Sequence, residues 1–443
     1  MQKLPKTFLD AVEITRSLGY LYLWIDSLCI IQDSEKDWAT ESRKMASIYQ
    51  YAILNISADT SEFDDHGIFD SALKQRSKFS SITLPCHSAE RHLQGHVQVS
   101  SESGAHQLQT RGWVLQEYIL STRILRYLQG GLAWICQSAT ATESEPEMKQ
   151  SNGFQQPHSI SLLPHGNTTS ASDLGISDQG YRMRWWYERV NQLTEREFTF
   201  KKDRLPAIEG LATVLSDRKS GTYEGGIWHE DFRRGLLWVS STSKENLNLW
   251  PSWSWAAADR QSDESPPYNL YDLGRHGHHF LAEILSLRDA ENNGSGRKPS
   301  LQLTLQGWAQ SIGKFLGDRQ FYHPSESRNE RGFCFDPPKK QSIFDKMRGS
   351  RTSMFWSDAL LQATPTKSEL EQKQAIVFRI AEFSPLSRDH GANMWFTYAL
   401  VLEPVDISQR LYRRIGVMRI GIDWIRSLDD LINGYTMRIV EIM

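Results

Sequence analysis

The amino-acid sequence predicts an α/β fold at the N-terminus, followed by a helical segment and a β-rich C-terminal region. Residues 7–18 carry apolar side chains at helical spacing after Pro5. Residues 20–25 are apolar at every position, as in a strand of a parallel sheet buried on both faces. Beyond Pro251, apolar and polar residues alternate in segments such as 301–307, which is typical of strands.

The boundaries of the first elements follow from local signals. Gly19 is predicted to end the first helix, and Asp26 to end the strand over 20–25. Ser34 with Asp37 three residues later resembles a capping box and predicts a second helix that ends near residue 51. Residues 52–58 are then predicted to form a second strand.

The rest of the chain divides by composition. Residues 112–120 predict a short helix, and residues 124–128 and 132–136 a hairpin. Residues 138–180 lose their apolar side chains and predict a disordered linker or insert. The predicted domains are an α/β domain (1–137), the linker (138–180), a mainly helical segment (181–250, with helix over 181–215) and the β-rich region (251–443).

Charge and cysteine usage restrict the class of protein. A formal net charge of -3 in 443 residues gives no field that would favour nucleic acid or an anionic membrane. No apolar run approaches the ~20 residues that span a bilayer, and the first residues do not resemble a signal peptide. Four scattered cysteines without a C-x-x-C pair do not form a disulfide framework. We therefore expect a cytoplasmic protein without nucleic-acid or membrane partners.

Two blocks of the sequence carry a recognisable resemblance. The first includes Leu4-Pro-Lys-Thr7 and Tyr22-Leu-Trp-Ile-Asp-Ser-Leu-Cys-Ile-Ile-Gln-Asp33, and the second is Arg111-Gly-Trp-Val-Leu-Gln-Glu117. They are similar to the central and closing blocks of the fungal heterokaryon incompatibility (HET) domain. The resemblance implies non-self recognition, programmed cell death, and protein partners or self-association.

The resemblance also implies a fold and a departure from it. HET domains are remotely similar to TIR domains, whose sheet is flavodoxin-like and whose first strand lies inside the sheet. Family members usually have a strand upstream of the Leu-Pro-x-Thr segment, and only three residues precede Leu4 here. We therefore expect an incomplete TIR/flavodoxin-like sheet that lacks its first strand and exposes strand edges.

Glu41 is the candidate catalytic residue. It lies on the same helical face as Trp38 and Met45, where a carboxylate is costly unless it is paired or employed. Some TIR domains cleave NAD with a glutamate near an Asp-Trp pair, and Asp37-Trp38-Ala-Thr-Glu41 looks similar, so the resemblance implies NAD as a substrate. The alternative is a structural pair of Glu41 with Arg111 or Arg123.

Five residues are candidates for ligand binding. Asp26 closes the first strand at the edge where open α/β sheets bind ligands, although it could equally cap the following turn. The other candidates are Trp38, Arg111, Gln116 and Glu117. For the last three, an Arg–carboxylate pair that stabilises the fold is the alternative role.

No metal site or bound cofactor is predicted. Residues Cys86, His87, His92 and His96 match no common zinc spacing. Three functional hypotheses remain open: a NAD glycohydrolase, a non-catalytic interaction module that signals by self-association, and an inactive copy.

Overall fold

The structure is a computed structural model that describes nineteen stretches of the chain. The described residues are 4–59, 67–69, 81–87, 92–98, 107–128, 131–136, 139–143, 146–147, 149–150, 178–216, 221–238, 249–257, 278–289, 301–316, 321–322, 353–357, 367–383, 395–422 and 434–443. Most of the predicted linker over 138–180 lies outside them.

The helices and strands alternate in the first part of the chain, and strands predominate in the last. The first part contains α1 (Lys6–Ser17), α2 (Asp26–Cys29), α3 (Glu35–Tyr51), β1 (Asn55–Ser57), β2 (Ser81–His87), β3 (His92–Gln98), α4 (Gln107–Thr110), α5 (Val114–Leu120), β4 (Arg123–Leu128), β5 (Gly131–Cys136), β6 (Ala139–Thr142) and β7 (Lys149–Gln150). The middle contains α6 (Asp178–Thr194), α7 (Pro206–Ser216), β8 (Tyr223–Glu224), β9 (Ile227–Trp228) and α8 (Phe232–Gly235). The last part contains β10 (His278–Phe280), β11 (Ala282–Asp289), β12 (Leu301–Ser311), α9 (Ile312–Leu316), β13 (Phe321–Tyr322), β14 (Ser353–Ser357), α10 (Lys367–Gln372), β15 (Ile376–Phe383), β16 (Trp395–Asp406), β17 (Leu411–Ile422) and β18 (Thr436–Ile442).

The chain divides into two compact units. The first consists of Met1–Leu163 with Arg196–Val214, and the second of Pro164–Glu195 with Leu215–Met443. The chain therefore returns to the first unit after α6 before it continues into the second.

The first unit contains a five-stranded sheet in the order β1-β4-β5-β6-β7. β1 runs parallel to β4, whereas β4, β5 and β6 follow one another antiparallel, which confirms the predicted hairpin. β6 begins at Ala139, so the sheet continues into the start of the segment predicted as a linker. Helix α1 packs on this sheet through Ala11 and Ile14, which share a buried cluster with Tyr127.

The prediction of a buried strand over residues 20–25 is wrong. These residues form no helix or strand, and they pair with no strand in the part of the chain that the structure describes. Leu21 and Tyr22 are 90% and 91% exposed. An unbroken apolar run favours burial on both faces only when neighbouring strands are present on both sides, and here the described residues provide none.

Two helix predictions are tested by the structure. Ser34 caps α3 as expected, because its side chain accepts a hydrogen bond from the backbone N–H of Asp37. The segment predicted to be helical over 181–215 contains two helices, α6 and α7, separated by eleven residues. Pro206 explains the start of α7, since proline fits the first helical position and cannot continue a preceding helix.

The second unit is built on a nine-stranded sheet, as the alternating pattern predicted. Within it β12, β15, β16, β17 and β18 pair with one another in a closed ring. β15 is buried on both faces: Ile376 and Phe378 enter one core cluster and Val377 enters the other. The C-terminal region is therefore β-rich and has its own core.

A buried ion pair holds β1 to β4. Asp59 follows β1 and has a fully buried side chain, and Arg126 Nε donates to its Oδ2 at 2.9 Å. Ser57 and Gln109 donate further hydrogen bonds to the same carboxylate. We predict that Asp59→Asn costs about 3 kcal/mol in the free energy of unfolding, because it leaves the buried Arg126 guanidinium without its counter-charge.

The exposed pair between Lys44 and Glu41 is the matched control for that measurement. Lys44→Gln should change the free energy of unfolding by less than about 1 kcal/mol, since an exposed pair on a helix contributes little. Equal losses in the two variants, measured by urea unfolding, would show that Asp59 and Arg126 do not hold the sheet together.

Candidate functional site

The centre of the candidate site is Glu117 on α5. This helix packs against α3, and its buried face carries Leu115, Gln116 and Ile119. Glu117 as a residue is half-buried, while its carboxyl group is withdrawn from solvent between the two helices. An ionised carboxylate in such a place is costly, so the groups around it determine its pKa.

Tyr49 on α3 is the direct partner of that carboxyl group. Burial raises the pKa of Glu117 to about 7, and the hydrogen bond that the Tyr49 hydroxyl donates limits the rise. Burial, followed by the charge of Glu117, raises the pKa of Tyr49 well above its ordinary value. The tyrosine therefore remains a donor, and the glutamic acid exchanges its proton near neutral pH.

Two of the predicted binding residues, Asp26 and Arg111, lie close enough to act on Glu117 electrostatically. The Asp26 carboxylate raises the pKa of Glu117 further, whereas Arg111 and Arg196 lower it. Asp26 is half-buried at the start of α2, where its Oδ1 accepts a hydrogen bond from Ser27 N at 2.7 Å. This contact with the next residue and the nearby charge of Glu117 are what the structure shows for Asp26, and its role in ligand binding stays a prediction.

Arg111 is positioned by its backbone. Arg196 Nη1 donates to the Arg111 carbonyl at 3.2 Å, and Gly112 N donates to the Glu197 carbonyl at 2.9 Å. A side chain at Gly112 would lie 2.1 Å from the Phe198 ring, so this close approach requires glycine. The arginine side chain itself is exposed beside the site.

Gln116 performs a structural role. Its Oε1 accepts a hydrogen bond from Gly210 N at 3.1 Å, and the residue is buried. A Cβ at Gly210 would lie 2.4 Å from the same oxygen and 2.5 Å from Ala46, so α7 approaches α3 and α5 closely at this point. Gln116 thus packs away from the charges around its neighbour Glu117.

Trp38 lies farther along α3, in an aromatic group. Its ring meets that of Trp113 edge to face, with centroids 6.2 Å apart. Lys202 Nζ lies 5.9 Å from the Trp38 ring centroid and 5.5 Å from that of Phe200. The Trp113 indole in turn donates to Asp203 at 3.4 Å.

Glu41 has a different partner from those expected. Its Oε1 lies 2.7 Å from Lys44 Nζ, with the Glu41 side chain 21% exposed and that of Lys44 56% exposed. Met45 is the only buried residue of α3. The helical face that Glu41 shares with Trp38 and Met45 is therefore only partly buried. The expected pairing with Arg111 or Arg123 is replaced by a local pair on the same helix.

The arrangement resembles a proton-exchanging carboxyl group with a fixed donor and nearby charges of both signs. A pKa near 7 suits a general acid or base, and a perturbed carboxyl group in a cleft is a typical feature of functional sites. Among the residues that the structure describes, no cluster of His, Cys, Asp and Glu could hold a metal ion. The chemistry available here is that of carboxylates, a phenol and arginines.

Sequence reasoning found three members of this group and missed two. Tyr49 was visible as part of the apolar stripe of α3, but nothing in the stripe indicates that its hydroxyl meets Glu117. Arg196 lies 79 positions beyond Glu117 in the chain, and only the tertiary fold brings it near.

Residues 1–117 match the family model described as heterokaryon incompatibility protein (HET). We call this matched part the HET domain. No curated protein and no solved structure matches the chain.

The HET domain contains Asp26, Tyr49, Arg111 and Glu117, the last of which is its final matched residue. Arg196 lies outside the match but within the same compact unit. The domain indicates a function related to heterokaryon incompatibility. In the described ranges, no helix is both long enough and apolar enough to cross a membrane.

The raised pKa of Glu117 predicts a pH-dependent gain in stability when the acid is replaced by its neutral isostere. Below pH 4.5 the acid is protonated in the folded and the unfolded chain, and Glu117→Gln should match the wild type. Between pH 4.5 and about 7 the acid is ionised in the unfolded chain and protonated in the folded one, so the wild type loses stability over this range and no more above it. The variant should be more stable by up to about 3 kcal/mol at pH 8, measured by urea unfolding.

Glu41→Gln is the control, because it removes one carboxylate from the same helix pair at a more exposed position. Its stability relative to the wild type should change little between pH 4 and pH 8. A Glu117→Gln variant that is less stable than the wild type at pH 8 would contradict a costly buried carboxylate.

Proposed function

We propose that this chain is a fungal non-self-recognition protein that mediates programmed cell death, and that its HET domain cleaves NAD at the group formed by Asp26, Tyr49, Arg111 and Glu117. The observation that carries the proposal is the buried Glu117 carboxyl group with a pKa near 7. We further propose a cytoplasmic site of action, where the exposed free thiol of Cys29 would stay reduced.

In the proposed reaction the bond between the ribose C1 and the nicotinamide nitrogen breaks, and its electron pair leaves with neutral nicotinamide. Positive charge therefore develops on the ribose, and a carboxylate beside it lowers the barrier. Water then adds at C1 and releases a proton to solvent. Glu117 is placed to provide that carboxylate in its ionised form. Arg111, exposed next to it, and Arg196 supply positive charge that suits the pyrophosphate of the same substrate.

Within this proposal Glu117 replaces Glu41 as the catalytic carboxylate. The charge of Glu41 is offset by Lys44 one turn later on an exposed part of α3. Ionisation of the buried Glu117 carboxyl group costs free energy, and a cationic substrate would offset that cost. Glu41 lies instead beside Lys44 in a more exposed environment. The TIR/flavodoxin-like relation of the sheet remains part of the proposal, supported by the parallel pairing of β1 with β4 after α3.

A second candidate function is a non-catalytic module that signals through protein partners or self-association. The observation that favours it is the exposure of Tyr20, Leu21 and Tyr22 in the apolar segment over residues 20–25. The two candidates are compatible, since the segment ends where Asp26 begins α2.

Turnover of NAD by the purified chain tests the first candidate. kcat/KM should rise with pH through about 7, because the ionised form of Glu117 is required. Glu117→Gln should lower kcat/KM by at least about 100-fold while the protein remains folded. Asp26→Asn should move the midpoint of the profile to lower pH, since it removes a charge that raises the pKa of Glu117.

Glu41→Gln is the matched variant, expected to retain turnover. A fully active Glu117→Gln protein would remove this residue from the mechanism. Absence of NAD turnover together with cell killing by the wild type would favour the non-catalytic candidate, and absence of both would favour an inactive copy.

A further inference from the structure

Residues 20–25 are apolar and form no helix or strand, the backbone of Ile25 is extended, and only the two ends of the segment make backbone hydrogen bonds among the described residues. The Tyr20 N–H bonds to the Thr15 carbonyl at one end, and the Ile25 carbonyl accepts from Leu28 and Cys29 at the other. The backbone groups of residues 21–24 make no hydrogen bond in the part of the chain that the structure describes. Unpaired N–H and C=O groups in an extended segment are a template for another strand.

The side chains of this segment face both inward and outward. Leu23 packs on the buried cluster that includes Ile14, and the Trp24 ring meets Tyr49 at 5.7 Å between centroids. These contacts hold the segment against the unit. Leu21 and Tyr22 are almost wholly exposed at its other end, so the segment is anchored and still accessible.

Further exposed apolar residues follow the segment, and follow its contact residue Tyr49, in the chain. Tyr51 and Ile53, at 79% and 56% exposure, follow Tyr49 in the chain, and Leu28 and Ile31 follow the segment at 53% and 58%. A stable interface buries about 800 Å² on each partner, more than one short strand provides. These flanking residues offer the additional apolar area.

We propose that residues 20–25 form the dimer interface of this protein, by antiparallel pairing with the same segment of a second copy. The segment contains no charge, so two identical copies approach without repulsion. It is preceded by the exposed Arg16 and followed by Asp26. Antiparallel pairing places Asp26 of one copy near the end of α1 of the other, where Arg16 lies, whereas parallel pairing would bring like charges together.

The proposal concerns the self-association part of the proposed function and does not depend on NAD cleavage. Glu117→Gln should therefore dimerise like the wild type, whatever its turnover. Loss of NAD turnover with retained dimerisation, or the reverse, separates the two proposals.

Sedimentation equilibrium of the full chain over a wide concentration range tests the proposal. The wild type should dimerise, and the double variant Leu21→Asp with Tyr22→Asp should raise the dissociation constant by at least about 100-fold through charge repulsion between copies. Arg16→Glu should raise it several-fold. Ile407→Asp, which places the same charge at a 60% exposed apolar residue of the second unit, should leave it unchanged.

Hydrogen exchange on the wild type gives a measurement that needs no variant. The amides of residues 21–24 should become protected as the concentration rises, because strand pairing uses backbone groups. A chain that stays monomeric at every concentration would overturn the proposal. So would a dimer that the double aspartate variant retains, or amides whose protection does not depend on concentration, which would indicate a strand supplied within the same chain.

Discussion

The HET domain of this protein is organised around one costly group, the carboxyl group of Glu117 between α3 and α5. Helix packing withdraws the group from water, and Tyr49 supplies the hydrogen bond that makes this burial tolerable. Asp26 adds repulsion, while Arg111 and Arg196 add attraction, so the balance leaves the acid titrating near neutral pH. A domain stabilised only for packing would not need an acid here, since an amide or an apolar side chain would cost less.

The surrounding structure keeps this group in place. Gln116 fixes α5 to Gly210 of α7, and the backbone of Glu197 pairs with the residues on either side of Arg111. In the same unit, the buried ion pair of Asp59 and Arg126 holds β1 to β4. The packing and the ion pair that stabilise the unit are therefore distinct from the charges around Glu117. For this reason Asp59→Asn should lower stability, whereas Glu117→Gln should raise it at pH 8.

Much of the local structure follows from sequence, because capping, turn and periodicity signals act over a few residues. The Ser34 cap, the extent of α3 and the hairpin of β4 and β5 were all predicted in this way. The prediction of a strand over 20–25 was wrong. Its apolar pattern is typical of a strand between two others, and no described strand lies beside it. The group at the site was predicted in part: Asp26, Arg111 and Glu117 stand within quoted motifs, whereas the roles of Tyr49 and Arg196 depend on helix packing and on a chain return that no local signal carries.

The pKa of Glu117 is the quantity on which this account depends, and carbon-13 NMR measures it directly. Protein labelled at the glutamate side-chain carboxyl carbon would be titrated from pH 4 to pH 9, with Glu117→Gln identifying the signal by its loss. The account predicts a midpoint near pH 7. A midpoint near 4.5, the ordinary value for glutamate, would show that the carboxyl group is solvated and would contradict the account.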